Sequence, residues 1–143
     1  MAPVRVALLG STGSIGRQTL DVLASAGREA FQVTAMAAGR DVETFQGQLA
    51  AVRPRVAALA DMRAAVRIEP PVGTTIDRDP DALERFATRD DVDIVIVATG
   101  GIVSLRPVLA ALRAGKPVAT ANKETLVAGG LSLIHISEPT RRS

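Results

Sequence analysis

Cysteine is absent from the 143-residue chain, which excludes disulfides, thiolate catalysis and cysteine-ligated zinc at once. Histidine occurs once, as His135, in a terminal stretch that stands apart from the pattern before it. No apolar run approaches the roughly 18–20 residues of a membrane span. Met1-Ala2-Pro3 leads straight into a strand-like segment, with none of the regions that mark a leader. The expectation is a soluble, cytoplasmic protein. Charge of one sign is lacking too: 17 basic and 15 acidic residues leave +2, scattered along the chain. Electrostatics therefore gives no case for nucleic acid or a membrane as partner.

What is present is enough for one domain, since a chain of this size buries about 70% of its unfolded surface. Val4 to Leu9 is a short apolar run ending in a glycine cluster, the mark of a buried strand. From Gly16 to about Ala26 the pattern turns helical, with Gly16, Leu20, Leu23 and Gly27 on one face. Gln32 to Ala38 predicts a second strand, Asp41 to Val52 a helix stopped by Pro54, and Arg55 to Ala60 a third strand. Residues 61–79 predict only a short helix near Met62 to Val66, because Pro70-Pro71-Val72-Gly73 is loop chemistry. A helix is expected from Pro80 to Ala87 with Asp79 as its cap. The β-branched run Val92 to Ala98 suits a central strand covered on both faces.

Ser104 is positioned to cap a further helix that buries Leu105, Val108, Leu109 and Leu112 and ends at Gly115 and Pro117. Pro117 to Ala121 predicts a last strand, with another helix starting at Asn122. Strands alternating with helices imply parallel βαβ units and right-handed crossovers. The expected fold is a doubly wound α/β parallel sheet.

The end of the chain breaks this order. Leu131 to Arg141 continues neither the helix at Asn122 nor a further βα unit. Its eleven residues resemble the conceptual translation of a transposase-adaptor end used in sequencing libraries. The natural frame is therefore expected to run to about Gly130, with residues 131–143 a non-native tail to be set aside in fold reasoning. A natural edge strand followed by a loose end is the alternative. Without the tail the formal charge falls to +1.

Gly10-Ser11-Thr12-Gly13-Ser14-Ile15-Gly16 carries the chemistry. Its glycines lie at the first, fourth and seventh positions, after a strand and opening a helix, as a dinucleotide fingerprint requires. Gly10 permits the tight turn, Gly13 lets backbone approach a pyrophosphate, and Gly16 brings the helix close to the sheet. The helix N-terminus offers N–H groups and partial positive charge, and Ser11, Thr12 and Ser14 add hydroxyls. A tight strand–helix turn with no ligand is the plainer alternative.

The second strand ends Ala37-Ala38-Gly39-Arg40-Asp41. A basic side chain there, where NAD-preferring sites place an acid, suits a 2′-phosphate and so NADP. Asp41 weighs the other way, and equally fits a plain helix cap. Ala121-Asn122-Lys123-Glu124-Thr125 follows a strand at the same carboxyl edge, so Asn122 could cap a helix while Lys123 reaches an anionic substrate. Thr99-Gly100-Gly101 would let the nicotinamide half pass close to backbone, and Asp90, Asp91 and Asp93 read as a solvated turn at the opposite edge.

The glycine loop with Gln18 to Val22 resembles the amino-terminal signature of the 1-deoxy-D-xylulose 5-phosphate reductoisomerase family. So does Leu109 to Lys116 leading to Ala121 through Val127. The resemblance spans about Val4 to Gly130 and implies a Rossmann-like NADPH-binding domain, incomplete at its carboxyl end. It implies conversion of 1-deoxy-D-xylulose 5-phosphate to 2-C-methyl-D-erythritol 4-phosphate in the non-mevalonate isoprenoid pathway, with NADPH and a divalent metal, magnesium or manganese. By the same resemblance Thr12, Gly13, Ser14, Ile15, Gly39, Arg40, Asp41, Asn122 and Glu124 bind the cofactor, and Lys123 binds the phosphorylated sugar. The family commonly has Asn where Asp41 stands. Its metal-binding carboxylates, catalytic domain and C-terminal domain have no counterpart before Gly130, so no catalytic or metal residue is assigned and this chain is expected to be inactive alone. A homodimer is expected at full length. Another NADP-dependent reductase, such as a semialdehyde dehydrogenase, and a non-catalytic nucleotide-binding module are the competing readings.

Overall fold

The computed structural model describes residues 2–98, 105–120 and 132–134. Six parallel strands alternate with helices: β1 (Val4–Leu9), α1 (Ser14–Ala26), β2 (Phe31–Ala38), α2 (Val42–Val52), β3 (Val56–Leu59), α3 (Met62–Ala65), β4 (Thr75–Ile76), α4 (Ala82–Thr88), β5 (Ile94–Val97), α5 (Leu105–Arg113) and β6 (Val118–Thr120). The order across the sheet is β4-β3-β2-β1-β5-β6, followed by β7 (Ser132–Ile134), which pairs antiparallel with β6. The chain winds outward from β1 in one direction through β4, then returns to begin again at β5. The order thus reverses between β1 and β5, and ligands of open α/β sheets bind at such a reversal, outside the carboxyl ends of the strands.

Burial follows from position. β1 lies at the centre, and its residues Val6 to Leu9 are wholly buried. Alternate side chains serve opposite faces. Ala7 and Leu9 join Phe86 and Ala87 of α4 and Ala111 of α5, whereas Val6 and Leu8 join Leu23 of α1. Met36 of β2 meets Phe45 and Leu49 of α2 in a third cluster. Among the described residues no helix is long and apolar enough to cross a membrane.

The expected doubly wound sheet is found, with three local differences. β4 was not legible, because two residues carry no periodicity. Backbone bonds fix it instead, from the Thr75 amide to Arg55 O (2.9 Å) and from the Asp77 amide to Ala57 O (2.8 Å). α4 starts at Ala82 rather than Pro80: the Asp79 carboxylate accepts from the Asp81 amide (2.9 Å) in a turn before the helix and does not cap it. On α5, Leu105 and Leu109 are exposed, and the buried positions are Pro107 and Ala111 with Val108 and Leu112 packed beside them. The small Ala111 lets α5 lie close to the sheet, which rotates the two leucines outward. Ser104 and the helix expected at Asn122 lie outside the described residues.

The acidic turn at the amino edge is more than a solvated loop. Asp93 accepts from Arg5 Nε (3.1 Å), Nη2 (3.0 Å) and the backbone amide (2.8 Å), clamping β1 to β5. Asp91 accepts from Arg89 Nε (2.7 Å) and Nη2 (2.8 Å) and from Arg55 Nη1 (3.1 Å), joining the end of α4 to the start of β3. These bonds, chiefly those from Arg89, pull the Asp91 carboxyl down to about 2 from 3.8. A carboxyl depressed by folding stabilises the fold above its unfolded value, and that contribution disappears as pH falls from about 4 towards 2. Discounted for solvent around the arginines, the contribution is about 1 kcal/mol. Asp91→Asn should lower the unfolding free energy by that amount at pH 7, with the difference vanishing near pH 2, as read by urea unfolding across that range.

Gly47 sits in the exposed interior of α2, where an added Cβ meets nothing within 4 Å. Glycine there only raises the entropy cost of the helix. Gly47→Ala should stabilise by about 0.5–1 kcal/mol, measurable as a rise in the thermal midpoint.

Candidate cofactor site

The carboxyl end of β1 runs into the glycine loop at the point where strand order reverses. Gly10 turns the chain with φ 95°, a conformation costly for other residues. The Gly10 and Ser11 amides both donate to Ala37 O of β2, at 2.8 and 3.1 Å, which anchors the turn to the neighbouring strand. A Cβ on Gly16 would lie 1.9 Å from Gly10 O and 2.8 Å from the carbonyl carbons of Gly10 and Ser11. The first turn of α1 therefore rests directly on the loop backbone, where the sequence had Gly16 bring the helix close to the sheet.

Gly13 is different. Its φ of −72° and ψ of 172° suit any residue, and a Cβ added there meets nothing within 4 Å. Neither conformation nor internal packing calls for glycine. Glycine there keeps the backbone open to an outside group. Gly13 is exposed and forms the N-cap of α1, whose N-terminus has no side-chain cap and no acid in its first turn. The positive end of the helix is thus left facing outward.

Thr12 and Ile15 are half-buried and Ser14 is exposed. Ser11 departs from expectation. It is wholly buried, so its hydroxyl does not reach the loop mouth, leaving half-buried Thr12 and exposed Ser14 as the loop's accessible hydroxyl residues.

Gly39 and Arg40 extend beyond β2 on the same sheet edge, both exposed. Asp41 caps α2, its Oδ1 accepting from the Thr44 amide at 3.1 Å. The hydrogen bonds from Thr44 chiefly, and then the charge of Arg17, hold the Asp41 carboxyl below its usual range. The capping role weighed in the sequence is therefore present, and the arginine of the first turn of α1 lies near enough to feel the carboxylate. Asn122, Lys123 and Glu124 lie outside the described residues, as do Thr99, Gly100 and Gly101. β6 ends at Thr120, parallel to β5, so the chain leaves it toward the same edge as the glycine loop.

Sequence reading missed Gln48, which donates from Nε2 to Ser11 O at 2.8 Å and ties α2 to the loop. The signal was a polar residue inside the inward stripe of α2, Phe45, Gln48, Leu49 and Val52. A groove of about 390 Å³, lined by Leu20, Leu23, Phe31, Val33 and Val52 among others, lies beside the start of β2, away from the glycine loop. Among the described residues no three carboxylate, histidine or cysteine side chains converge on a point that could hold a metal ion.

Comparison with known proteins places this geometry. The family model for 1-deoxy-D-xylulose 5-phosphate reductoisomerase matches residues 6–130. The reductoisomerase of Exiguobacterium sibiricum is 43% identical over 132 residues, covering 88% of this chain and 33% of that protein. That of Mycobacterium ulcerans is 42% identical over 137 residues, covering 95% and 33%. Among solved structures, the Zymomonas mobilis reductoisomerase in complex with NADPH superposes with a TM-score of 0.68 at 34% identity, over 88% of this chain and 34% of that one. A reductoisomerase in complex with NADPH, fosmidomycin and magnesium gives 0.72 at 26% identity, over 87% and 31%. The chain spans about a third of the length of the curated relatives it matches.

Proposed function

Because the chain belongs to the 1-deoxy-D-xylulose 5-phosphate reductoisomerase family, we propose that it is the NADPH-binding amino-terminal part of such an enzyme. The observation that carries the reading is Gly13, a glycine that its own fold does not require, at an uncapped helix N-terminus where the sheet order reverses. Thr12, Gly13, Ser14 and Ile15 receive the pyrophosphate on backbone N–H groups and hydroxyls. Gly39, Arg40 and Asp41 flank the adenosine phosphate, with Arg40 meeting the 2′-phosphate. Asn122 and Glu124 complete the cofactor side, and Lys123 binds the anionic sugar phosphate.

In the whole protein NADPH supplies the hydride that reduces the rearranged aldehyde of 1-deoxy-D-xylulose 5-phosphate, giving 2-C-methyl-D-erythritol 4-phosphate for isoprenoid biosynthesis. Among the described residues no group of side chains fits the divalent ion that the resemblance implies. The full protein is a cytoplasmic homodimer with no nucleic-acid or membrane partner. Residues 131–143 are a non-native tail. The family match ending at residue 130 and the adaptor-like run from Leu131 support that reading, while β7 stands as the edge strand the alternative would have.

Calorimetric titration of the folded chain tests the reading. NADPH should bind at least about tenfold more tightly than NADH, the discrimination that one charge-assisted contact to a phosphate supplies. A folded chain that binds neither nucleotide would sink it.

A further inference from the structure

Gln48 is anomalous as a packing residue. It lies half-buried on the inward stripe of α2 beside Phe45 and Leu49, both wholly buried. An apolar side chain would fill such a position without leaving polar atoms to satisfy. Gln48 leaves one: its Oε1 is buried and has no hydrogen-bond partner. What the residue gains is a single bond, Nε2–H to Ser11 O at 2.8 Å. Ser11 is wholly buried, and its own Oγ is likewise without a partner. The two residues retain a donor and an acceptor, so the junction is polar on both sides.

The bond falls at a sensitive point. The Ser11 amide is already held by Ala37 O of β2. With its carbonyl held by Gln48 of α2, Ser11 is fixed at both ends. The Ser11–Thr12 peptide is trans, as is every peptide among the described residues. In a planar trans peptide the carbonyl and the following N–H point in opposite directions. Drawing Ser11 O toward α2 therefore turns the Thr12 N–H away from α2. The carbonyl that would repel an anion is turned inward, and the amide that would attract one is freed.

We propose that Gln48 is the positioning residue of the cofactor loop: by holding the Ser11 carbonyl it fixes the Ser11–Thr12 peptide so that the Thr12 N–H is presented to a phosphate of the nucleotide. The inference rests on the NADPH reading above. It makes the first turn beyond β1 depend on a side chain from the helix that follows Gly39 and Arg40. The loop at the pyrophosphate and the segment at the adenosine phosphate are thereby set by one helix, α2.

The test uses the 143-residue chain, NADPH and NADP⁺ titrations, and amide hydrogen exchange of the nucleotide-free protein. Gln48→Met keeps the length of the side chain and the apolar stripe but donates no hydrogen bond. It should weaken NADPH binding about tenfold, the loss expected when one preorganised contact is released. Exchange at the Ser11 amide, which is bonded to Ala37 O, should accelerate severalfold while the thermal midpoint stays at or above that of the parent. Gln48→Glu provides the second arm, because a carboxylate cannot donate to Ser11 O and a protonated carboxyl can. Its deficit for NADP⁺, relative to the parent at the same pH, should shrink as pH falls from 8 to 5.

Parent-like affinity and parent-like Ser11 exchange in Gln48→Met would overturn the proposal and leave the NADPH reading standing. So would a lower midpoint with uniformly faster exchange and unchanged affinity, which is the mark of a merely structural residue. A parent chain that is folded yet binds no NADPH would overturn both.

Discussion

Gly16→Ala is expected to destroy the cofactor site and most of the stability margin around it. The new methyl carbon would sit 1.9 Å from Gly10 O, far inside contact distance, and the atoms it meets are backbone rather than a flexible side-chain tip. Gly10 cannot swing aside, because its φ of 95° and the bonds from Gly10 and Ser11 to Ala37 O hold it. Either α1 lifts from the sheet, uncovering Leu23 and its cluster with Val6 and Leu8, or the loop leaves β2. Overpacking of this kind costs about 1–3 kcal/mol and more where the neighbour is rigid, so about 3 kcal/mol is expected here. NADPH affinity should fall beyond detection. Gly13→Ala is the matching control. Its methyl enters open space in the free chain, so the thermal midpoint should hold while NADPH binding weakens by about tenfold or more, one methyl intruding on a close backbone contact. Equal effects of the two substitutions on stability would show that the glycines do not divide into internal and external roles.

The second large effect concerns the choice of nucleotide. Arg40 is exposed just past β2, where the proposed function puts the adenosine phosphate. Arg40→Ala should weaken NADPH binding about 10–100-fold, the range for losing a charge-assisted bond to a phosphate. NADH affinity should change little, since NADH lacks that phosphate. Asp41→Asn should act in the opposite direction. Asparagine caps helices as well as aspartate does, so the bond to the Thr44 amide can persist, while a negative charge beside the 2′-phosphate is removed. NADPH affinity should rise about threefold with no loss in thermal midpoint, a surface-charge effect of the usual size. Parallel losses for both nucleotides in Arg40→Ala would place the arginine outside the phosphate site.

The parts of this fold that could be read in the sequence are those where one physical signal dominates. Val6 to Leu9 of β1 and the whole of β5 are covered on both faces and so appear as unbroken apolar runs, and α1 shows its stripe because only one face is covered. The glycine spacing disclosed the loop because two of its three glycines are sterically forced. Legibility failed where backbone bonds or neighbours decide. β4 is two residues held by Arg55 and Ala57. The face of α5 is set by how closely Ala111 can approach the sheet, which no helical periodicity in Leu105 to Leu112 reveals. Asp79 and Asp41 look alike as caps, yet only Asp41 bonds a helix amide, because Pro80 and Asp81 form a turn before α4 begins. Gln48 stayed hidden for the same reason: its bond joins positions 37 residues apart.

The most direct test of the account is an amide chemical-shift titration of the isotope-labelled chain with NADPH. The largest shifts should fall on Thr12, Gly13, Ser14 and Ile15 and on Gly39, Arg40 and Asp41, two segments brought to one sheet edge by β1 and β2. Shifts confined to the groove of Leu20, Phe31, Val33 and Val52 at the start of β2, with the glycine loop unmoved, would contradict it.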